Sequence, residues 1–140
     1  DEARQYAVNS KIEGWIERLY INQSGQPVRK GQPLLEIYSP DLLAAQQEYL
    51  LALDSSKRLA QSPFPEVAEG GRRLFEASRN RLHNWDISDQ QIDQLERTRQ
   101  VKKSLTLYSP YGGIVTMKKA LQGMRVMAGA FVMSQVRSFR

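Results

Sequence analysis

The two ends of the chain alternate apolar and polar positions with the period of β-strands. In the stretch "GWIERLYI", residues 14–21, successive side chains point to opposite faces, and glycine and proline punctuate the sequence on both sides. Residues 104–136 repeat this texture in "SLTLYSP", "GGIVTMKK" and "MRVMAGAFVMSQV". We therefore predict strands joined by tight turns over residues 4–38 and 104–136.

Between these ends the apolar positions follow the period of a helix. A first helix is predicted from Pro40 to Ala60, because Ser39 can cap it and proline suits the first helical position. Its apolar face consists of Leu42, Leu43, Ala45, Tyr49, Leu50, Ala52 and Leu53. The two prolines of "SPFP", residues 62–65, end this helix.

Two further helices are predicted before the second β segment. One runs from Glu66 to Trp85, although Gly70 and Gly71 lower the helix propensity of its first turns. Its inward-facing residues are predicted to be Val67, Leu74, Phe75, Leu82 and Trp85. The other begins at Ser88, and the stretch "RQVKKSL" after it is predicted to return as an extended link.

The start at Ser88 is specified by two independent devices. Ser88 and Gln91 form the capping-box pattern S-x-x-Q. Ile87 and Ile92 stand at the two positions of a hydrophobic staple.

The two β segments share an internal repeat. Each reads S-x3-G followed by two apolar residues, a short connection, and then G-x2-V-x2-G-x2 before another apolar residue. The aligned pairs are Ser10 with Ser109, Gly14 with Gly113, Trp15 with Ile114, Ile16 with Val115, Gly25 with Gly123, Val28 with Val126, Gly31 with Gly129 and Leu34 with Val132. We predict that the six glycines supply positive φ angles at hairpin corners, and that the aliphatic residues share one interior.

This repeat predicts how the chain is organised. A half of about 30 residues has too little core to stand alone, so the two halves should face each other and close a common sandwich. The predicted fold class is α+β, a two-half β sandwich of residues 4–38 and 104–136 interrupted by a helical insertion. The insertion, residues 39–103, is a helical hairpin or three-helix bundle whose two ends should lie close together.

Composition and charge exclude several classes of function. The chain has no cysteine, which removes disulfides, cysteine-based zinc sites and thiol catalysis. No apolar run reaches the roughly 18 to 20 residues of a membrane span. The net charge of +5 lies in residues 104–140, which hold five basic and no acidic residues. Because no aromatic platforms alternate with these bases, we predict a solvated basic face and no nucleic-acid partner.

Groups suited to catalysis are scarce. His83 is the only histidine, and a lone histidine near a helix end is more often a cap or surface residue than a base or ligand. Ser39 and Ser109 lie in "YSP" turns without a partner base. We predict a non-enzymatic protein with no catalytic site and no cofactor.

Methionine is the one soft metal ligand that the chain offers. Thioethers suit Cu(I) and Ag(I), and the four methionines fall in the second β segment. They are Met117, Met124, Met127 and Met133. Core packing explains the strand positions of Met124 and Met133, and we predict no metal site.

The repeated glycine–valine–glycine pattern resembles biotinyl and lipoyl carrier domains and the barrel-sandwich hybrid of periplasmic adaptors, also called membrane fusion proteins. The stretch "SGQPVRKGQPLLEIYSPDLLAAQQEYLLA", residues 24–52, is similar to the CusB-like, heavy-metal branch of those adaptors, and "YSPYGGIV" followed by "GMRVMAGAFV" resembles their second lipoyl half. This resemblance implies a barrel-sandwich hybrid in a periplasmic protein. It also implies that the protein links an inner-membrane RND transporter to an outer-membrane channel and self-associates in a ring.

The resemblance leaves a second function open, that of a carrier domain in a multienzyme complex. A carrier needs a modifiable lysine on the hairpin between its halves, where this chain has the helical insertion. The dipeptide Met117-Lys118 falls inside the second half instead. For an adaptor, the resemblance implies channel contact through a loose Arg, Leu and Ser motif, which Arg81, Leu82 and Ser88 match in part.

Overall fold

The computed structural model of the chain describes residues 5–118, 120–129 and 131–137, of which residues 5, 117 and 131–137 are described by their backbone alone. The first predicted strand residue, Arg4, lies outside this range. The strands of the first half are β1 (Gln5–Asn9), β2 (Gly14–Leu19), β3 (Pro27–Val28) and β4 (Pro33–Tyr38). The helices are α1 (Pro40–Leu59), α2 (Pro65–Asn84) and α3 (Asp89–Thr98). The strands of the second half are β5 (Ser104–Tyr108), β6 (Gly113–Lys118), β7 (Arg125–Val126) and β8 (Phe131–Arg137).

The chain divides into two compact units. Asp41–Lys102 forms one, which we call the helical unit, and the chain before and after it forms the β unit. Within the β unit, the backbone amide of Ser39 donates to the carbonyl oxygen of Lys103 over 3.1 Å. The points where the chain leaves and re-enters this unit are therefore adjacent.

The β unit consists of two four-stranded antiparallel sheets, each built from both halves of the repeat. Their strand orders are β1-β8-β6-β3 and β5-β4-β2-β7. The two-residue strand of each half pairs with the other half, β3 with β6 and β7 with β2. The predicted common sandwich and the α+β class, a barrel-sandwich hybrid interrupted by helices, are confirmed.

The repeat is reproduced in the register of the strands. Gly14 lies opposite Val126 where β2 meets β7, and Gly113 lies opposite Val28 where β6 meets β3. These are equivalent pairs in the sequence alignment of the two halves. The halves are therefore related as the spacing predicts, and the two-residue strand of each half pairs with a strand of the other half.

Positive φ angles occur at four of the six predicted turn glycines: Gly25 (89°), Gly31 (83°), Gly123 (84°) and Gly129 (84°). The prediction of a positive φ is wrong for Gly14 and Gly113, the first residues of β2 and β6, whose conformations lie outside that region. A Cβ atom on Gly14 would lie 2.8 Å from Ile37 Cγ2 and closer still to the carbonyl oxygen of Tyr38, so Gly14 allows a close approach of two strands. Gly113 occupies the equivalent position at the start of β6.

The interior of the β unit is apolar and is shared by equivalent positions. Ile16 and its counterpart Val115 are fully buried, and Val28 and Val126 are nearly so. Other buried apolar residues of the unit are Ile12, Ile21, Leu34, Leu35, Ile37 and Ala120. Burial of these side chains accounts for the alternating pattern seen in the sequence.

The three predicted helices are present with small differences at their ends. Helix α1 ends at Leu59 instead of Ala60, and α2 is shifted by one residue towards the N-terminus. The backbone amide of Gln91 donates to Ser88 Oγ over 3.2 Å, and that of Ser88 donates to Gln91 Oε1 over 2.9 Å, which confirms the capping box. In the described part of the chain, every helix is too short or too polar to span a bilayer.

Helix α3 is half as long as α1 and α2. The chain that follows it can therefore return as an extended segment to the end of the helical unit where α1 begins. Arg99 ends α3 in the left-handed conformation, with φ of 57°, and its guanidinium binds Asp54 at 2.5 and 3.0 Å. Three residues later, Lys102 exchanges two hydrogen bonds with the side chain of Gln46, at 2.9 and 2.7 Å. Eight residues, about 12 Å of helix, separate Gln46 from Asp54. The predicted extended link thus returns along α1.

Candidate partner-contact surfaces

Helices α1 and α2 form an antiparallel hairpin. Arg81 near the end of α2 donates to Glu48 Oε2 in the middle of α1 over 2.8 Å, and Leu59 at the end of α1 packs against Gly71 near the start of α2. A Cβ atom on Gly71 would lie only 3.0 Å from Leu59 Cδ1, so this glycine lets the helices approach closely. The loop between α1 and α2, residues 60–64, therefore forms the tip of the hairpin, at the opposite end from Asp41.

The tip presents an exposed aromatic side chain. Phe64 lies between Pro63 and Pro65 and is 62% exposed, and Val67 beside it in α2 is 40% exposed. The amide of Phe64 donates to the hydroxyl oxygen of Ser62 over 3.1 Å, which helps to fix the turn. From the sequence, "SPFP" predicts only a helix break. An aromatic residue between two prolines was the signal that could have identified this surface.

The residues predicted to contact a channel lie at the other end of the hairpin. Arg81 is exposed, binds Glu48, and holds its guanidinium carbon 5.3 Å from the ring centroid of Trp85. Leu82 has no exposed surface, so its side chain belongs to the core and cannot contact a partner. The hydroxyl of Ser88 caps α3. The structure does not bring these three side chains together on one exposed surface.

An apolar groove of about 400 Å³ runs between α1 and α2 on the outside of the hairpin. Leu51 and Leu74 stand on its two rims, each 68% exposed. Its floor is made of small residues: Ala52, Ser55, Gly71, Ala77 and Ser78. The inward orientation predicted for Leu74 and Val67 is wrong. Helix α2 carries two apolar stripes, and the stripe through Gly71 and Leu82 is the one that faces the core.

A polar network holds α3 against the hairpin. Tyr49 is fully buried, donates its hydroxyl hydrogen to Glu96 of α3 and accepts a hydrogen bond from Arg79 Nη1 over 3.1 Å. Arg79 also binds Asp89 at the start of α3, over 3.1 Å. Burial, together with the hydrogen bond to Glu96, raises the pKa of Tyr49 to about 12. The hydroxyl therefore stays protonated under ordinary conditions.

The candidate metal ligands are dispersed. His83 Nε2 lies 2.9 Å from Asp89 Oδ1 and is partly exposed, a surface pairing at the end of α2. Among the residues that the structure describes, no three histidine, cysteine, aspartate or glutamate side chains are grouped as a metal site requires. Met124 is partly buried and Met127 is 53% exposed. The side chains of Met117 and Met133 lie outside the described part of the chain.

The β unit also carries an exposed surface, formed by a row of side chains across neighbouring strands. Trp15 is 41% exposed and lies opposite Tyr38 on β4 and Arg125 on β7. The guanidinium carbon of Arg125 is 5.6 Å from the Trp15 ring centroid, and the rings of Trp15 and Tyr38 are 6.3 Å apart. Arg125 also pairs with Glu13. This row combines aromatic area with charge, as protein interfaces often do.

The chain matches one family of known proteins in sequence. A sequence model of the family described as "CusB, barrel-sandwich hybrid domain" matches residues 5–135. The cation efflux system protein CusB of Escherichia coli K12 is 29% identical over 123 residues, which cover 87% of this chain and 27% of that protein. The chain thus spans about a quarter of the length of this curated relative.

Solved structures share the fold. ZneB from Cupriavidus metallidurans is 21% identical with a TM-score of 0.59, covering 98% of this chain and 62% of that one. A chimera of MacA and MexA that contains the α-hairpin domain of Pseudomonas aeruginosa MexA is 20% identical, also with a TM-score of 0.59. That match covers 96% of this chain and 48% of the chimera. At sequence identities this low, the similarity to these two structures shows a shared fold only.

Proposed function

Because this chain belongs to the CusB family of barrel-sandwich hybrid domains, we propose that it is the central part of a periplasmic adaptor in a heavy-metal efflux pump. The adaptor joins an inner-membrane RND transporter to an outer-membrane channel and is held at the inner membrane by the full-length protein. The observation that carries this proposal is the span of the family match, which covers both β halves and the helices between them. The cargo is copper, silver or another cation, in keeping with the cation efflux named for the Escherichia coli relative.

The tip of the helical hairpin is the proposed contact with the channel protein. Phe64 offers a large apolar side chain that is already exposed. The prolines on either side restrict the backbone, so the loop loses little conformational freedom when it binds. Exposed aromatic anchors of this kind commonly dominate the energetics of an interface. The adaptor therefore acts by contact and performs no chemistry.

Copies of the adaptor are proposed to pack side by side in a ring through their β units. The row of Trp15, Tyr38 and Arg125 is the surface we assign to this packing. Its aromatic area favours burial, and the Arg125–Glu13 pair at its edge can fix the orientation of a neighbour.

A biotinyl or lipoyl carrier domain is the alternative function. Such a domain needs a modifiable lysine on an exposed turn, and Lys118 does not lie on one. Lys118 ends strand β6, where its backbone is paired with Met133 of β8. A lysine that carries a substrate between active sites has to lie on an exposed turn. Incubation with biotin and lipoate ligases, followed by mass measurement, should leave the chain unmodified, and labelling at Lys118 would restore the carrier function.

The adaptor function is tested with the full-length parent protein, affinity-tagged and expressed together with its cognate transporter and channel. We expect both membrane proteins to be retained by the tagged parent. Retention of neither would refute the proposal.

A variant without the helical unit distinguishes the contact with the transporter from the contact with the channel. In it, residues 41–102 are replaced by a short Asn-Gly turn, which the 3.1 Å hydrogen bond between Ser39 and Lys103 allows without strain. This variant should still retain the transporter and should lose the channel. Loss of the transporter alone would contradict the assignment of the helical unit to the channel.

A further inference from the structure

The apolar tip of the helical hairpin has a positive flank and a negative flank. The last turn of α1 contains two bases, Lys57 and Arg58, and no acid. The first turn of α2 contains one acid, Glu66, and no base. The loop between them, residues 60–64, has no charged side chain. The exposed ring of Phe64 therefore lies between charges of opposite sign.

Two of these charges point away from the hairpin, on opposite sides of it. Leu59 faces α2, because it packs against Gly71. At 3.6 residues per turn, Lys57 lies about 200° around α1 from Leu59 and so projects from the outer side of α1. Glu66 lies about 140° around α2 from Gly71 and projects from the outer side of α2. Both side chains are exposed.

Neither of these two charges is used within the hairpin. Glu69, one turn further along α2, is paired with Arg72. The guanidinium of Arg58 donates back to a serine of the preceding turn, over 3.1 Å. In the described part of the chain, Lys57 and Glu66 take part in no ion pair. An unpaired charge at the rim of a contact surface favours an opposite charge on the partner and opposes a like one.

We infer that Lys57 and Glu66 fix the rotational orientation of the hairpin on the channel protein. This inference rests on the proposed contact of the tip with that protein. Phe64 supplies the apolar anchor, and the surface that receives it carries an acidic side chain facing Lys57 and a basic one facing Glu66. A hairpin turned by half a revolution about its long axis would bring each charge against a like charge. The two charges therefore select one orientation by opposing the other.

Exchanging the two charges distinguishes orientation from net charge. In the full-length parent, Lys57→Glu and Glu66→Lys should each weaken binding to the purified channel about three- to ten-fold, because an attraction at the rim becomes a repulsion. The double variant has the net charge of the wild type. It should still bind at least about ten-fold more weakly, because both charges then face like charges. The hairpin cannot turn round to compensate, since Phe64 lies at the α2 end of the loop and would leave its pocket.

The affinities are measured by biolayer interferometry with the channel in detergent. A double variant that binds as strongly as the wild type, or single variants that both do so, would overturn the inference. The control exchanges two exposed charges of α3, away from the tip, in the variant Asp93→Lys with Arg97→Glu. This control should bind as the wild type does, and an equal loss of affinity in it would also overturn the inference.

Thermal unfolding of the same variants tests the other role that the two charges can have, which is to stabilise their own helix ends through the helix dipole. Variants that lose stability and keep their affinity would assign Lys57 and Glu66 to that role and refute the inference. Phe64→Ala tests the tip contact separately. If Phe64→Ala weakens binding while the charge variants bind normally, only the inference fails. If the wild-type parent does not bind the channel, the tip contact and the inference fail together.

Discussion

The backbone amide of Gly31 donates a hydrogen bond to the carbonyl oxygen of Ser109, in the other half of the repeat, over 2.8 Å. The equivalent bond runs from Gly129 to Ser10 over 2.6 Å. Each half therefore supplies the partner that satisfies the backbone of the other half, as buried amides and carbonyls require. The β unit is held together by this exchange, and a single half lacks the partners it needs.

We predict that the β unit folds without the helices. A chain in which residues 1–40 are joined to residues 103–140 by an Asn-Gly turn should show dispersed amide resonances and a cooperative thermal transition. Residues 1–40 or 103–140 expressed alone should remain unfolded, because half the strand partners of each sheet are missing. A cooperative transition in either half alone would contradict the shared core.

Gly14→Ala is expected to destabilise the β unit by about 3 kcal/mol. The new Cβ atom has no room between Ile37 Cγ2 and the carbonyl oxygen of Tyr38, and the strands cannot separate without losing hydrogen bonds. Gly112→Ala is the control, because its Cβ atom would lie 3.9 Å from the nearest atom. Urea unfolding of the two variants should differ by at least about 2 kcal/mol. Equal stabilities would show that β2 and β4 are not so closely packed.

Two neighbouring glycines of α2 should respond differently to alanine. Gly70→Ala should stabilise the helical unit by about 0.5 to 1 kcal/mol, because no atom lies within 4 Å of the new Cβ and alanine favours the helix. Gly71→Ala should lose this gain, because its Cβ atom would lie 3.0 Å from Leu59 Cδ1 and 3.1 Å from Leu59 Cβ. Thermal unfolding followed by circular dichroism shows which of the two variants is more stable. A more stable Gly71→Ala variant would refute the close contact of α1 and α2.

Tyr49 should make the helical unit sensitive to alkali. Its pKa in the folded unit is raised to about 12, above the usual value near 10. The unfolded chain therefore loses this proton first, so the free energy of unfolding falls as the pH rises from about 10 towards 12, by about 3 kcal/mol at most. Below about pH 10 this hydroxyl adds no pH dependence.

Tyr49→Phe is the control for that measurement. It should lower stability at neutral pH by about 1 to 3 kcal/mol, because Glu96 and Arg79 lose a buried partner. Its free energy of unfolding should then fall less steeply above pH 10 than that of the wild type. Equal slopes in the two proteins would show that the buried hydroxyl does not titrate with folding.

Much of this fold could be predicted because its signals are local. The spacing of glycine and valine fixed the equivalence of the two halves, and Ser39-Pro40, "SPFP" and the Ser88–Gln91 pattern marked helix ends to within one residue. Each of these signals depends on a few adjacent residues and their backbone preferences. Local preferences of this kind survive in the folded chain wherever tertiary contacts agree with them.

The remaining features depend on contacts that a single sequence does not reveal. Strands β3 and β7 have two residues each, too few for a period, so their exchange between halves left no pattern. The length of α3 is set by Arg99, a residue without special preference for the left-handed conformation. Leu74 belongs to an apolar stripe as regular as the buried one, and only the packing of α1 shows which stripe faces the core.

The proposed contact between the hairpin tip and an outer-membrane channel can be tested at Phe64 itself. The most direct test places a photo-crosslinking amino acid at Phe64 of the full-length parent, with Gln90 at the opposite end of the helical unit as the control site. We predict cross-links to the cognate channel from position 64 and none from position 90. Cross-links from position 90 alone, or from neither position in cells that contain the assembled pump, would refute the proposed contact at the tip.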